Sequence, residues 1–293
     1  MSPAFARDIR VGPHRALHLP SEAALQVRDG DVVRIDPGTY ADCATWTANR
    51  LRIEAAAPGV VLAGKSCAGK GIFITQGNDI TIRGITFQDA TVPDRNGAGI
   101  RAEGRNMTVE HSRFLHNENG ILAGGGRDSV LRITDSEFVD NGACIRACAH
   151  GVYAGAPIKR LEIVRSLFYG TRIAHHIKSR ALNTLVKDSR IEDGPDGTSS
   201  YLIDVPNGGN VLIEGNVMEK GPQSSNPGVA IPIGEEGVTN PTASLIIRNN
   251  MFRNDTGRRT VFVSNRTTTK AQMQDNVLTG DVAELDGPGG PTP

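Results

Sequence analysis

Aromatic residues are scarce at 4%, while glycine stands at 34, a balance that suits a chain of many tight turns. Net charge is absent too. Lys+Arg and Asp+Glu are both 32, which excludes wholesale attraction to nucleic acid or to an anionic membrane surface. No apolar run approaches the roughly 18 residues that a membrane span needs. Cysteine is limited to four residues, at 43, 67, 144 and 148. A chain of 293 residues has room for two domains, but one repeat runs through most of it and predicts a single elongated domain.

The repeat is an alternating strand, then Ser or Asn, then one residue, then a large apolar residue. Its copies are ITIRGITF (80–87), MTVEHSRF (107–114), LRITDSEF (131–138), LEIVRSLF (161–168), TLVKDSRI (184–191), VLIEGNVM (211–218), LIIRNNMF (245–252) and AQMQDNVL (271–278). They recur every 23 to 34 residues. Strand patterning at such a period predicts a solenoid of stacked coils. Ser112, Ser136, Ser166, Ser189, Asn216, Asn250 and Asn276 then stack as a polar ladder at a sharp bend, where Asn tolerates the left-handed conformation. Ile85 breaks the ladder in the first copy. Two places on, Phe87, Phe114, Phe138, Phe168, Ile191, Met218, Phe252 and Leu278 form a core column that holds five of the eight Phe residues.

Residues 21–26, SEAALQ, read as a short helix capping the open N-terminal end, where a bare strand edge invites aggregation. Residues 1–6, with Ala4-x-Ala6, are expected to be a signal-peptide remnant or an appended tail, the solenoid to cover 7–280, and 281–293 to be a flexible tail. Cys43 and Cys67 lie one coil apart, and Cys144-x3-Cys148 closes a small loop. Two disulfides would place the chain in the periplasm or outside the cell, with a metal site of the second pair and His150 as the alternative.

On this repeat, over residues 30–280, the chain resembles the right-handed parallel β-helix proteins of the pectate lyase superfamily. The resemblance implies an all-β, single-domain solenoid of about nine or ten coils. The superfamily includes polysaccharide lyases, polygalacturonase-type hydrolases, mannuronan epimerases and non-catalytic tailspikes, so fold alone does not select a function. The clustered aspartates of the hydrolases, the Asp-Pro-His-Asp element of the epimerases and the calcium-binding aspartates of true pectate lyases are not found here.

A second strand precedes each copy, and its alternation predicts an outward column of Arg101, Leu122, Tyr153, Lys178, Asp204 and Pro232. Glu103, Gly124, Gly155, Arg180, Pro206 and Gly234 follow two places on. Gly99, Gly120, Gly151, His176, Leu202 and Ala230 are expected on the same groove floor, beside Ala98, Asn119, His150, His175, Tyr201 and Val229. Three of seven His and two of four Tyr thus gather with Lys178, Arg180 and Asp204. These types suit β-elimination of a uronic-acid polysaccharide, which needs the carboxylate neutralised, a base for the C5 proton and an acid for the leaving oxygen. The expected roles are Arg180 as neutraliser, Lys178 or Tyr153 as base, and His150 or His176 as proton donor or ligand contact. The Arg180 guanidinium is expected to lower the Lys178 pKa. His175, Arg101, Tyr201, Asp204 and Glu235 are expected to contact substrate, with the 220–228 and 235–244 loops walling the groove.

No cofactor is firmly implied. Calcium can be considered around Glu192, Asp193, Asp196 and Asp204, although EDGPDG (192–197) is more often just an acidic turn. The alternatives to a lyase are a glycoside hydrolase using Asp204 with Glu235 or Glu236, and a glycan-binding scaffold with Tyr153 and Tyr201 as stacking platforms. The expected partner is an acidic polysaccharide or oligosaccharide, with no nucleic acid, and the chain is expected to be a monomer.

Overall fold

A left-handed residue directly before the Ser or Asn turns each coil. His111, Asp135, Arg165, Asp188, Asn249 and Asp275 all have φ between 48 and 55°, and Gly84 and Gly215 fill the same place at 74 and 70°. The bend expected at the Ser or Asn therefore lies one residue earlier. That frees the Ser or Asn side chain to point inward, where it is buried. The structure is a computed structural model describing residues 6–145, 147–155 and 158–291.

The strands stack in parallel as three long sheets of twelve, ten and seven strands, plus a three-stranded sheet that continues the seven-stranded one. This is a right-handed parallel β-solenoid of about eleven turns, slightly more than the repeat suggested. The difference lies at the ends. Asp8–Val11 pairs with Val32–Ile35, and Val282–Asp286 and Gly289–Pro291 pair with Thr260–Asn265 and Ala271–Gln274. The segment expected as a flexible tail from 281 thus forms strands of the last coil. Of residues 1–6, only Ala6 lies within the described residues.

The polar ladder runs unbroken through the backbone. Ser112 N–H donates to Ser136 Oγ, Ser136 to Ser166, and Ser166 to Ser189, at 3.1–3.2 Å. Ser189, Asn216 and Asn250 continue it onto the Oδ1 atoms of Asn216, Asn250 and Asn276 at 3.0–3.2 Å. Each corner amide buried away from water thereby gains an acceptor. Ile85 lacks the acceptor but still donates to Ser112 Oγ at 3.4 Å.

Inside the bend, Phe87, Phe114, Phe138 and Phe168 stack with ring centroids 5.2, 4.6 and 4.6 Å apart. The helix Pro20–Ala24 packs against Ala44–Trp46, the terminal strand of the seven-stranded sheet, as a cap. Glu22 fixes its start by accepting the backbone N–H groups of His18 and Leu19. Disulfides join Cys43 to Cys67 and Cys144 to Cys148, so the metal alternative for the second pair has no free thiol. No helix is long and apolar enough to cross a membrane among the described residues.

Candidate functional site

The seven-stranded sheet carries the outward column in the expected register. Arg101 pairs with Leu122, Leu122 with Tyr153, Tyr153 with Lys178, and Lys178 with Asp204. Neighbouring rungs of such a sheet are about 4.8 Å apart, so three coils bring Tyr153, Lys178 and Asp204 together. Arg101 shares the face but lies two rungs from Tyr153, beyond Leu122, and its nearest charge partner is Glu103 at 3.9 Å.

Lys178 is the centre of the cluster. Its Nζ donates to Asp204 Oδ2 and to Glu236 Oε1, both at 2.7 Å. Arg180 donates from Nη2 to Glu236 Oε2 at 2.5 Å, from Nε to Tyr153 Oη at 2.9 Å, and from Nη1 to Asn207 Oδ1. Glu236 therefore bridges the two cations with one oxygen on each. It comes from the loop after Val229–Ile233, whose backbone is tied to the coil below by Glu236 N–H on Pro206 O at 3.0 Å.

A second column stiffens the site from the side. The rings of His150, His175 and Tyr201 stack at 4.8 and 4.9 Å. His150 Nδ1 accepts the backbone N–H of His175 at 3.2 Å, and His175 Nδ1 accepts that of Tyr201 at 3.3 Å. Accepting at Nδ1 fixes each neutral ring as the Nε2–H tautomer. His175 Nε2 then faces Asp204 Oδ2 at 3.4 Å as a donor. Asn119 is the rung before, and its Oδ1 accepts the N–H of His150.

Burial and charge set the protonation states. Burial, then the charges of His175, Lys178 and Arg180, hold His150 well below its ordinary value. Burial and Lys178 push His175 down to about 3. Burial raises Asp204 to about 6 despite Lys178. Burial also opposes the Lys178 ammonium, but Asp204 and Glu236 outweigh it and raise its pKa. The expected lowering of Lys178 by Arg180 is thus reversed: two carboxylates touch the ammonium and no guanidinium does. Lys178 is held as a cation, unsuited to the role of neutral base.

His176 is placed differently from the expectation. It points inward and is fully buried, with Nε2 at 2.9 Å from Asp193 Oδ1. Alternation breaks between Gly99 and Ile100: a Cβ at Gly99 would meet the Phe114 ring at 2.9 Å and Ile100 is fully buried, so two consecutive residues face the interior. A Cβ at Gly120 would meet the Phe138 ring at 2.7 Å, which is why glycine fills this column where phenylalanine lines the bend. His176 is the next member, and the column facing it changes from Phe168 to Ile191.

Glu235 also turns away, towards Ser264 and Arg266 at 3.0 and 3.5 Å. Asn207, unmarked by the repeat, lies beyond the strand end and reaches Arg180 only through the loop fold. The carboxylates considered for calcium do not converge. Glu192 pairs with Arg190, Asp193 with His176, Asp204 with Lys178, and Asp196 is exposed in its turn. No group of three or more His, Cys, Asp or Glu suited to a metal occurs among the described residues.

Residues 45–174 match the family model of the right handed beta helix region. No curated protein matches the sequence. Among solved structures, pectate lyase Pel9A superposes with a TM-score of 0.63 at 14% identity, over 96% of this chain and 79% of that one. The protein ybhc of Escherichia coli gives 0.52 at 10% identity, over 96% and 86%. A PL6 alginate lyase complexed with a trisaccharide gives 0.45 at 14%, over 96% and 61%. At such identities the likeness to the first two establishes the fold alone, a right-handed parallel β-helix.

Proposed function

We propose that the chain is a polysaccharide-active enzyme, a lyase that cleaves an acidic, uronic-acid-containing polysaccharide by β-elimination on the face formed by Tyr153, Lys178 and Arg180. One observation carries this reading. Two cations and a tyrosine hydroxyl converge on one strand face, with Arg180 Nε donating to Tyr153 Oη at 2.9 Å. Arg180 and Lys178 together neutralise the uronate carboxylate and stabilise the negative charge that develops as the C5 proton leaves. With Lys178 held charged, Tyr153 is the base of the two considered. Its oxygen takes the C5 proton, the C4–O bond breaks, and a C4=C5 double bond forms. The leaving oxygen then takes that proton back from Tyr153, which serves as base and acid in turn. His150 and His175 hold this face in place, and Tyr201 and Arg101 extend it along the chain axis.

A pectate lyase built on the same fold makes the scaffold compatible with this chemistry. The two disulfides fit an oxidising compartment, and we place the protein in the periplasm or outside the cell.

A hydrolase reading has its own support. Asp204 is pushed up to about 6, while Glu236, despite burial, is held below the usual range by Lys178 and Arg180. Such a split pair can serve as acid and nucleophile. Both carboxylates grip the same ammonium, however, so Lys178 Nζ occupies the space between them that a glycosidic bond would need. Incubation with alginate, pectate, glucuronan and glycosaminoglycans, followed by ultraviolet absorbance and by reducing ends, separates the readings. Both signals rising together support the lyase. Reducing ends alone support the hydrolase, and binding without either supports a scaffold.

A further inference from the structure

We propose that Glu236 is a built-in occupant of the carboxylate site formed by Lys178 and Arg180, and that the uronate carboxylate of a bound glycan takes its place. This rests on the uronate reading above and adds a residue that sets affinity and anion selectivity.

The geometry is that of a bound carboxylate. Glu236 Oε1 lies 2.7 Å from Lys178 Nζ and Oε2 lies 2.5 Å from Arg180 Nη2, one oxygen to each cation. A uronate approaching the same face meets its two charge partners already engaged. Lys178 and Arg180 carry two positive charges, and ionised Asp204 and Glu236 carry two negative ones, so a third carboxylate has no unpaired cation to neutralise it. One resident carboxylate must yield.

Asp204 cannot. Its side chain is 3% exposed, and it is fixed by Lys178 and by His175 Nε2. Glu236 is 46% exposed, so water is ready to solvate it on release. The Glu236 end of the pair is thus hydrated when it leaves, and Lys178, only 9% exposed, keeps the buried Asp204 as its partner.

The release needs no loop opening. Thr239 and Asn240 donate to Asn207 O at 3.1 and 3.0 Å, and Gly237 to Gly234 O at 3.1 Å, so the loop backbone stays tied. Rotation about side-chain torsions suffices, a barrier crossed in nanoseconds at exposed positions. The neighbouring space is open: a Cβ on Gly237, at φ +95°, would meet nothing within 4 Å.

The test uses the full chain carrying Tyr153→Phe, to prevent turnover, with and without Glu236→Gln. Binding of galacturonate, glucuronate and mannuronate trisaccharides is measured by titration calorimetry. Vacating the site should tighten binding of the accepted trisaccharide about tenfold, the factor expected if the open state is about 10% populated. Glu236→Asp, too short to span both cations, should fall between. Glu235→Gln, whose parent pairs with Ser264 and Arg266, should leave affinity unchanged. Equal or weaker binding by Glu236→Gln would overturn displacement while leaving the uronate site standing. Equal tightening by Glu235→Gln would also overturn it, since the effect would then be one of net charge. Binding of no uronate by either protein would overturn the uronate reading itself, and displacement with it.

Discussion

Lys178 and Asp204 occupy the same position on successive coils, and the Lys178 ammonium lies 2.7 Å from the Asp204 carboxylate. Their side chains are 9% and 3% exposed, so each is the other's main compensation for lost water. Lys178→Ala should therefore cost about 3 kcal/mol at pH 8, where it strands a buried carboxylate. The cost should shrink at pH 5, below the Asp204 value of about 6, because the carboxyl can then take a proton. Urea unfolding of Lys178→Ala, Asp204→Leu and the double variant at both pH values checks this. Stability of Lys178→Ala equal to wild type at pH 8 would show that the pair is not buried as described.

The histidine column predicts acid sensitivity. His150 and His175 are held neutral in the folded chain by burial and by the charges of Lys178, Arg180 and Lys220, with Asp204 and Glu236 as the facing anions. An unfolded histidine titrates near pH 6.5. Below that, the unfolded chain takes up protons that the folded chain refuses, so stability falls as pH falls, by up to about 1.4 kcal/mol per unit for each histidine. Asp204 acts in the opposite sense. Its raised value means the folded chain gains a proton first as pH drops through about 6, which offsets one of the two histidines. A net loss of about 1.4 kcal/mol per unit from these three groups remains between roughly pH 6 and 5. Replacing both histidines by Asn, the residue already at Asn119 on the rung before, keeps an acceptor for the next backbone N–H. It should remove the histidine contribution, which urea midpoints at pH 5 and 7 will read.

The phenylalanine stack should dominate the stability of the middle coils. Phe138 stacks at 4.6 Å on both Phe114 and Phe168, so Phe138→Ala should cost about 4 kcal/mol. Gly120→Ala should be destabilising as well. Its Cβ would lie 2.4 Å from Gly151 O and 2.7 Å from Phe138 Cδ1, and relief of such overpacking costs about 1–3 kcal/mol. Thermal unfolding of the two variants and their combination reads both effects. The combination should cost less than the sum, because removing the Phe138 ring makes part of the room that the new methyl needs.

The repeat made most of this architecture legible. The Ser and Asn ladder, the Phe column and the outward series Arg101, Leu122, Tyr153, Lys178 and Asp204 all follow from a period-two strand recurring at a coil's length. What the period cannot carry is a local bend. The break in alternation beside Gly99 turned His176 inward, and the left-handed turn fell on Asp135 and its equivalents rather than on Ser136. Contacts made through loops were equally hidden. Asn207 and Glu236 reach Arg180 from beyond the strand ends, and the two carboxylates on Lys178 reversed its expected titration. The last strands, from Val282, carry no further copy of the motif, so their pairing, with Val282 and Leu285 against the core, left no mark in the pattern.

Arg180, with Lys178 and Tyr153, is proposed to drive elimination across a uronate. The most direct measurement is the rate of unsaturated-product formation, by ultraviolet absorbance, on whichever acidic polysaccharide the wild type cleaves. Wild type, Arg180→Ala, Lys178→Ala and Tyr153→Phe should be compared. Loss of the cationic stabiliser should lower the rate about 100-fold or more, and loss of the Tyr153 hydroxyl by a similar factor. Full activity in both Arg180→Ala and Lys178→Ala, or cleavage that yields reducing ends with no absorbance, would contradict it.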